Sequence, residues 1–275
     1  MKSAEPVVMS AAFGYNSQDL DLFLFSLRKH YKGTVIIVCN PTDNLAQAME
    51  KYQIEVIPFS GELTARFPPA VLRYFCFDLI LGSREFSDIF LTDSRDVLFQ
   101  RSPFCIPIKN QVEFFLEPSL IEHCTINSAW IADVYTKEIL NQISHNFIIC
   151  SGTIRGSFSG ISKAIRLICS EILSLDAEKL GKGNDQPIVN KLAYFKQIEN
   201  SSLIANGTGL VQTFHHQRSV KIDRAARVLN ADDSVCAVVH QYDRINFLNN
   251  VFKLQAYIDY KTTPPPHWIS FEDLH

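Results

Sequence analysis

What this chain lacks narrows it first. No uninterrupted apolar run approaches a membrane span, and the opening stretch MKSAEPVVMSAAFGYN has no signal-peptide hydrophobic region. Basic residues form no dense run and the formal net charge is −3, so nothing asks for nucleic acid or an anionic membrane surface as partner. The cysteines, Cys39, Cys76, Cys105, Cys124, Cys150, Cys169 and Cys236, are odd in number and include no CxxC pair. Most sit in apolar surroundings and read as small buried hydrophobes rather than as a disulfide framework or a zinc site. That usage favours a reducing compartment and a cytoplasmic protein, in which the sequons at Asn200 and Asn206 are accidental.

Several motifs are missing too. No G-x-G-x-x-G follows a strand, so a dinucleotide dehydrogenase is unsupported; Gly152, Gly156 and Gly160 are spaced by four, a different pattern. Gly181-Lys182-Gly183 lacks the upstream glycine of a P-loop, and no G-x-S-x-G elbow offers a hydrolase nucleophile. His215 and His216 are adjacent, would point in different directions on a strand, and read as surface or structural residues. There is no internal repeat and no low-complexity linker.

What is present is a globular composition: 275 residues, 47% hydrophobic and 20% charged, with 20 phenylalanines to fill a core. Short apolar, β-branched or aromatic runs bounded by turn residues predict strands at Val7–Phe13, Thr34–Asn40, Ile54–Phe59, Asp88–Asp93, Val112–Glu117, Phe147–Ser151 and Val235–Gln241. Three-to-four spacing or a leading proline predicts helices at Asp19–His30, Pro69–Leu81, Ile161–Leu175, Asp185–Phe195 and Ile245–Tyr257. Alternation of the two implies an α/β fold, a mostly parallel sheet covered on both faces. We expect one domain over residues 1–260 and a Pro-rich tail over 261–275, where three consecutive prolines forbid regular helix.

Four segments carry candidate chemistry. In Ile89–Phe99, IFLTDSRDVLF, an apolar run stops at two acids, Asp93 and Asp96, and then resumes. Acids at a strand end are often a solvated turn, but in open α/β sheets ligands bind beyond the carboxyl ends of the strands. In FIICSGTIRG a buried strand is expected to break at Ser151-Gly152, either as a plain turn or to let a ligand approach the backbone. In Gly183-Asn184-Asp185-Gln186 a helix opens, with Asn184 or Asp185 as a possible N-cap. VHQYDR ends the last strand with His240, a structural residue or a ligand.

Together these segments resemble a family. IFLTDSRDVLFQRSPF is similar to the strand and D-x-D motif of nucleotide-sugar glycosyltransferases of the GT-A fold, in the form that closes in a Pro-Phe pair. CSGTIRG resembles the N/S-x-G-x-x-x-G segment of the family's sugar-binding wall, and GNDQPIVN the Asp-Gln…Asn helix start of its glycogenin and bacterial galactosyltransferase-like branch. HQYDR resembles the late histidine that supplies a metal ligand. The likeness runs from Val7 to about Arg244 in the expected order. It departs at the acids, which form D-x-x-D: alignment through Pro103-Phe104 sets Asp96 at the second, metal-binding acid and leaves Ser94 at the place of the first, with Asp93 one residue early.

The resemblance implies a single GT-A domain, a nucleotide-sugar donor (a UDP-sugar), a glycan hydroxyl as acceptor, and Mn²⁺ or Mg²⁺ held by Asp96, His240 and Asp93. It implies that Ala11, Phe13 and Tyr15 hold the nucleoside, that Arg73 lies near the donor phosphates unless it is a surface salt bridge, and that Ser151 and Gly152 form the sugar wall. Ser94 serves through its hydroxyl or a water, and Arg95 pairs with an acid or reaches a phosphate. Asp185 and Gln186 face the transferred sugar. Asp185 is the general base in an inverting enzyme; in a retaining one, towards which GNDQ leans, either residue orients or stabilises the sugar. Two other readings stand beside this one: a GT-A module that binds nucleotide sugar without turnover, and a haloacid-dehalogenase-like phosphatase, whose D-x-D-x-[TV] motif Asp93–Val97 does not supply.

Overall fold

Successive residues of the first strand face opposite ways, and both directions are apolar. Val7 and Met9 belong to one buried cluster and Val8 to another. The split repeats at Ile36 and Val38 against Val35 and Ile37, at Ile89 and Leu91 against Phe90, and at Phe114 against Phe115. Strands of this kind need cover on both faces. The computed structural model, which describes residues 4–181, 184–217 and 219–262, has that arrangement.

The strands are β1 (Val7–Ala11), β2 (Thr34–Cys39), β3 (Glu55–Pro58), β4 (Asp88–Thr92), β5 (Val97–Phe99), β6 (Val112–Leu120), β7 (Phe147–Ser157), β8 (Ser201–Ile204), β9 (Val211–Thr213) and β10 (Val238–His240). The α-helices are α1 (Asp21–His30), α2 (Ala46–Tyr52), α3 (Glu62–Arg66), α4 (Pro69–Ser83), α5 (Thr125–Val134), α6 (Lys137–Ile143), α7 (Phe158–Ser174), α8 (Asp185–Tyr194) and α9 (Asn246–Thr262). Seven strands form a mostly parallel sheet of order β3-β2-β1-β4-β7-β6-β8, with β7 antiparallel to both neighbours. Three form a small sheet of order β5-β10-β9.

This topology positions the site. The chain winds from β1 out to β2 and β3, then returns to place β4 on the other side of β1. The loops after β1 and β4 therefore diverge and open a crevice, the place where α/β sheets bind ligands. The turn Asp93–Asp96 joins β4 in the large sheet to β5 in the small one. Antiparallel pairing of β5 with β10 sets His240 opposite Val97, and the Gln241 N–H donates to the Asp96 carbonyl at 2.7 Å.

One sequence expectation is overturned. No strand ends at Ser151-Gly152: β7 runs on to Ser157, because residues 153–157 pair in register with Thr92 back to Asp88 and fill a central position in the sheet. Gly183 of the GNDQ segment and the Pro-rich stretch from residue 263 lie outside the described residues, whereas α9 reaches Thr262. No helix among the described residues is long and apolar enough to cross a membrane.

Candidate metal centre and cleft

The cleft at the switch point has a volume of about 620 Å³. Its lining includes Ala11 at the end of β1, Phe13 and Tyr15 from the loop that follows, and Ile126 and Trp130 of α5. That loop is pinned by Asp43, whose carboxylate accepts from the Gly14 N–H at 3.0 Å and the Asn40 N–H at 2.8 Å. Gly14 turns there with φ +79°, a conformation that suits glycine. Ser94 donates its hydroxyl to the Ala11 carbonyl at 3.2 Å, tying the acids' turn to the β1 loop.

At the base of the cleft, Asp93, Asp96 and His240 present one ligand atom each, all within 4.8 Å of one another. A single turn between β4 and β5 supplies the two acids, and the end of β10, far along the chain, supplies the histidine. His240 has no solvent exposure, and its Nδ1 lies 3.3 Å from the Cys150 sulfur, which fixes the ring. Its Nε2 points between the carboxylates, 3.3 Å from Asp93 Oδ2 and 3.7 Å from Asp96 Oδ1, yet makes no aligned hydrogen bond with either. A buried, unpartnered imidazole nitrogen facing two carboxylates fits a divalent cation.

Electrostatics point the same way. Burial alone would drive His240 neutral, but Cys150, Asp93 and Asp96 push its pKa well above the ordinary histidine value. Burial raises the Asp96 carboxyl, while for Asp93 the effect of burial is overcome by Arg73 and His240, which hold it below the usual carboxylate range.

Arg73 does not lie on the surface. It is buried beneath the cleft, where Nη1 donates to Asp93 Oδ1, and Nη2 to Asp185 Oδ2 at 2.5 Å and the Ser151 carbonyl at 2.9 Å. Its position in α4 and that of Asp185 at the start of α8 thus meet through one guanidinium. Asp185 also accepts from the Tyr74 hydroxyl at 3.2 Å; burial lifts its pKa while Arg73 pulls it down. Gln186 is held at both ends: Oε1 accepts from the Ser151 N–H at 3.2 Å, and Nε2 donates to Asn127 Oδ1 at 2.7 Å. Arg95 pairs with neither acid of its turn but with Asp243, at 3.0 Å.

The sequence-predicted site residues Ala11, Phe13, Tyr15, Arg73, Asp93, Ser94, Arg95, Asp96, Ser151, Asp185 and Gln186 all line this cleft, and His240 and Gly152 lie directly behind its acids. Others were missed. Glu117 reaches the cleft from β6, 1% exposed, and burial raises its pKa to about 7. It carries the signal that exposed Asp93, an acid ending an apolar run. His215 and His216 do not diverge as on a strand: β9 ends at Thr213, and the left-handed backbone of His216 brings the two rings to a centroid distance of 3.9 Å on the cleft wall. Burial and the neighbouring His216 lower the pKa of His215 to about 4. No protein-family model matches the chain, and no curated protein matches it.

Proposed function

We propose that this chain transfers a sugar from a nucleotide-sugar donor, a UDP-sugar, to a glycan hydroxyl, with Mn²⁺ or Mg²⁺ held by Asp93, Asp96 and His240. The observation that carries the reading is His240 Nε2, fully buried and unpartnered between two carboxylates at the sheet's switch point. Asp93, Asp96 and His240 would hold a hard divalent ion, which would supply positive charge to offset that of a departing diphosphate. One imidazole among oxygen ligands favours Mn²⁺ over Mg²⁺.

The chain's own residues do the rest. Phe13 and Tyr15 stack on the nucleoside base, and Arg95, half-exposed at the rim, reaches a phosphate oxygen or releases it. Arg73 is committed to Asp93 and Asp185, so it holds two carboxylates in place rather than binding phosphate itself. Asp185 and Gln186, both hydrogen-bonded on two sides, orient the transferred sugar. An ion-paired Asp185 suits that orienting role, and with it retention, better than proton abstraction. A cytoplasmic setting accords with seven free cysteines.

Donor hydrolysis and glycan transfer test the proposal, measured for the wild type with Mn²⁺, the wild type with EDTA, and Asp96→Ala. Loss of a carboxylate ligand is expected to lower turnover on the order of a thousandfold, as loss of other charge-stabilising groups does. Equal turnover in all three removes the metal-dependent reading. The commitment of one Asp93 oxygen to Arg73 favours a second reading, a non-catalytic nucleotide-sugar module. Calorimetric binding of UDP with no turnover on a broad acceptor panel selects it.

A further inference from the structure

A second group of metal-ligating side chains lies beside the same cleft, with His215 and His216 on its wall and Cys124 buried behind them. Cys124 directly precedes α5 and is 1% exposed. Its sulfur is 3.6 Å from His215 Nε2 and 3.3 Å from His216 Nε2, and the three ligand atoms all lie within 4.8 Å of one another. Two consecutive histidines reach one sulfur only because His216 sits in the left-handed region, φ 59°. A non-glycine residue seldom takes that conformation without a local reason.

The sulfur is surrounded by nitrogen. Asn127 Nδ2 approaches it at 3.2 Å, and an amide NH₂ can only donate, so Sγ is accepting there. A cysteine sulfur that accepts from an amide N–H and faces two imidazole nitrogens is placed as a metal ligand with its outer partner present. In a tetrahedral zinc site the bond lengths put sulfur and nitrogen about 3.5 Å apart, which the distances at Cys124 bracket.

We propose that Cys124, His215 and His216 bind a Zn²⁺ ion, with the fourth position left to water or to an oxygen of the molecule in the cleft. One thiolate and two imidazoles form a soft donor set, unlike the oxygen-rich Asp93, Asp96 and His240, so the two sites sort zinc from Mn²⁺ by ligand type. Cys124 thereby departs from the reading of the cysteines as inert hydrophobes. Three protein ligands with one open position are the pattern of a reactive rather than a purely structural zinc.

The test uses the full chain, stripped with chelator and titrated with Zn²⁺ and, as a spectroscopic probe, Co²⁺. The wild type is expected to develop thiolate-to-cobalt charge-transfer absorption that Zn²⁺ displaces. Cys124→Ser should abolish the band, His216→Gln should weaken zinc binding at least tenfold, and Asp96→Asn should leave the band in place. His216 is exposed, so its variant is expected to fold and decides the matter if Cys124→Ser does not. Absence of the band in the wild type, its persistence in Cys124→Ser, or unchanged zinc affinity in His216→Gln overturns the proposal.

Discussion

Gly152 has no side chain because none fits. A Cβ there would stand 2.3 Å from Asp93 Oδ2 and 2.6 Å from His240 Cε1, inside both proposed ligands. Its φ is not in the left-handed region, so an alanine backbone is tolerated and the obstacle is the site alone. Overpacking of this kind costs about 1–3 kcal/mol when neighbours must shift, and the groups that would have to shift are a carboxylate and an imidazole whose placement sets the ion's coordination. Gly152→Ala is therefore expected to weaken Mn²⁺ binding at least tenfold by calorimetry while the protein stays folded in EDTA. Unchanged Mn²⁺ affinity would separate Gly152 from the metal site. Arg73 teaches a related lesson: in a sequence it is one arginine in an apolar helix, and only the fold reveals that a partly exposed carboxylate, Asp93, and a buried one, Asp185, share it.

At the scale of elements, α8 must be held against β7 for Asp185 and Gln186 to face the cleft, and Asn190 does this. Its Oδ1 accepts from the Ile149 N–H at 2.8 Å and its Nδ2 donates to the Ile149 carbonyl at 2.8 Å, in place of a strand partner that β4, paired with residues 153–157 of β7, does not supply. Asn190→Leu leaves both backbone groups buried without partners, at about 1–3 kcal/mol each. We expect chemical denaturation to register a loss of about 2–6 kcal/mol, against a null effect if water replaces the amide. The elements legible in the sequence are α1 and α7 from their apolar spacing, α4 from its leading proline, α8, and strands β1 to β4, β6 and β10 as apolar runs bounded by turn residues, each found within a few residues of its predicted bounds. The three-residue strands β5 and β9 were not, since so short a run gives no pattern to read, and the equally short β10 was found only inside the longer apolar run Val235–Gln241. The second half of β7 was missed for a different reason: Gly152 and Gly156 look like punctuation, yet their missing side chains admit Asp93, His240 and the Gln111 carbonyl. The late histidine was legible as a residue, but its partners follow from the pairing of β10 with β5, a contact that spans more than a hundred residues and leaves no local trace.

For the whole molecule, the cleft joins two halves of the chain, the β1 and β4 loops on one side and the β10 end and α8 start on the other. A ligand that bridges them binds only the folded state, so it raises stability by mass action, about 2.7 kcal/mol at a free concentration one hundred times its dissociation constant. If Asp93, Asp96 and His240 hold an ion that also touches the donor's diphosphate, each ligand supplies part of the other's site. Their effects on stability then exceed the sum of the separate effects, and the coupling must be reciprocal. We expect thermal melts to rise modestly with Mn²⁺ alone and with UDP alone, and by clearly more than the sum with both. In Asp96→Asn the excess should vanish while a modest shift with UDP alone persists, since Phe13 and Tyr15 remain. Adenosine and guanosine diphosphates with Mn²⁺ rank the base preference in the same experiment. Strictly additive shifts in the wild type would mean that the metal and the nucleotide, if both bind, do not meet, and the cleft would then be two sites rather than one.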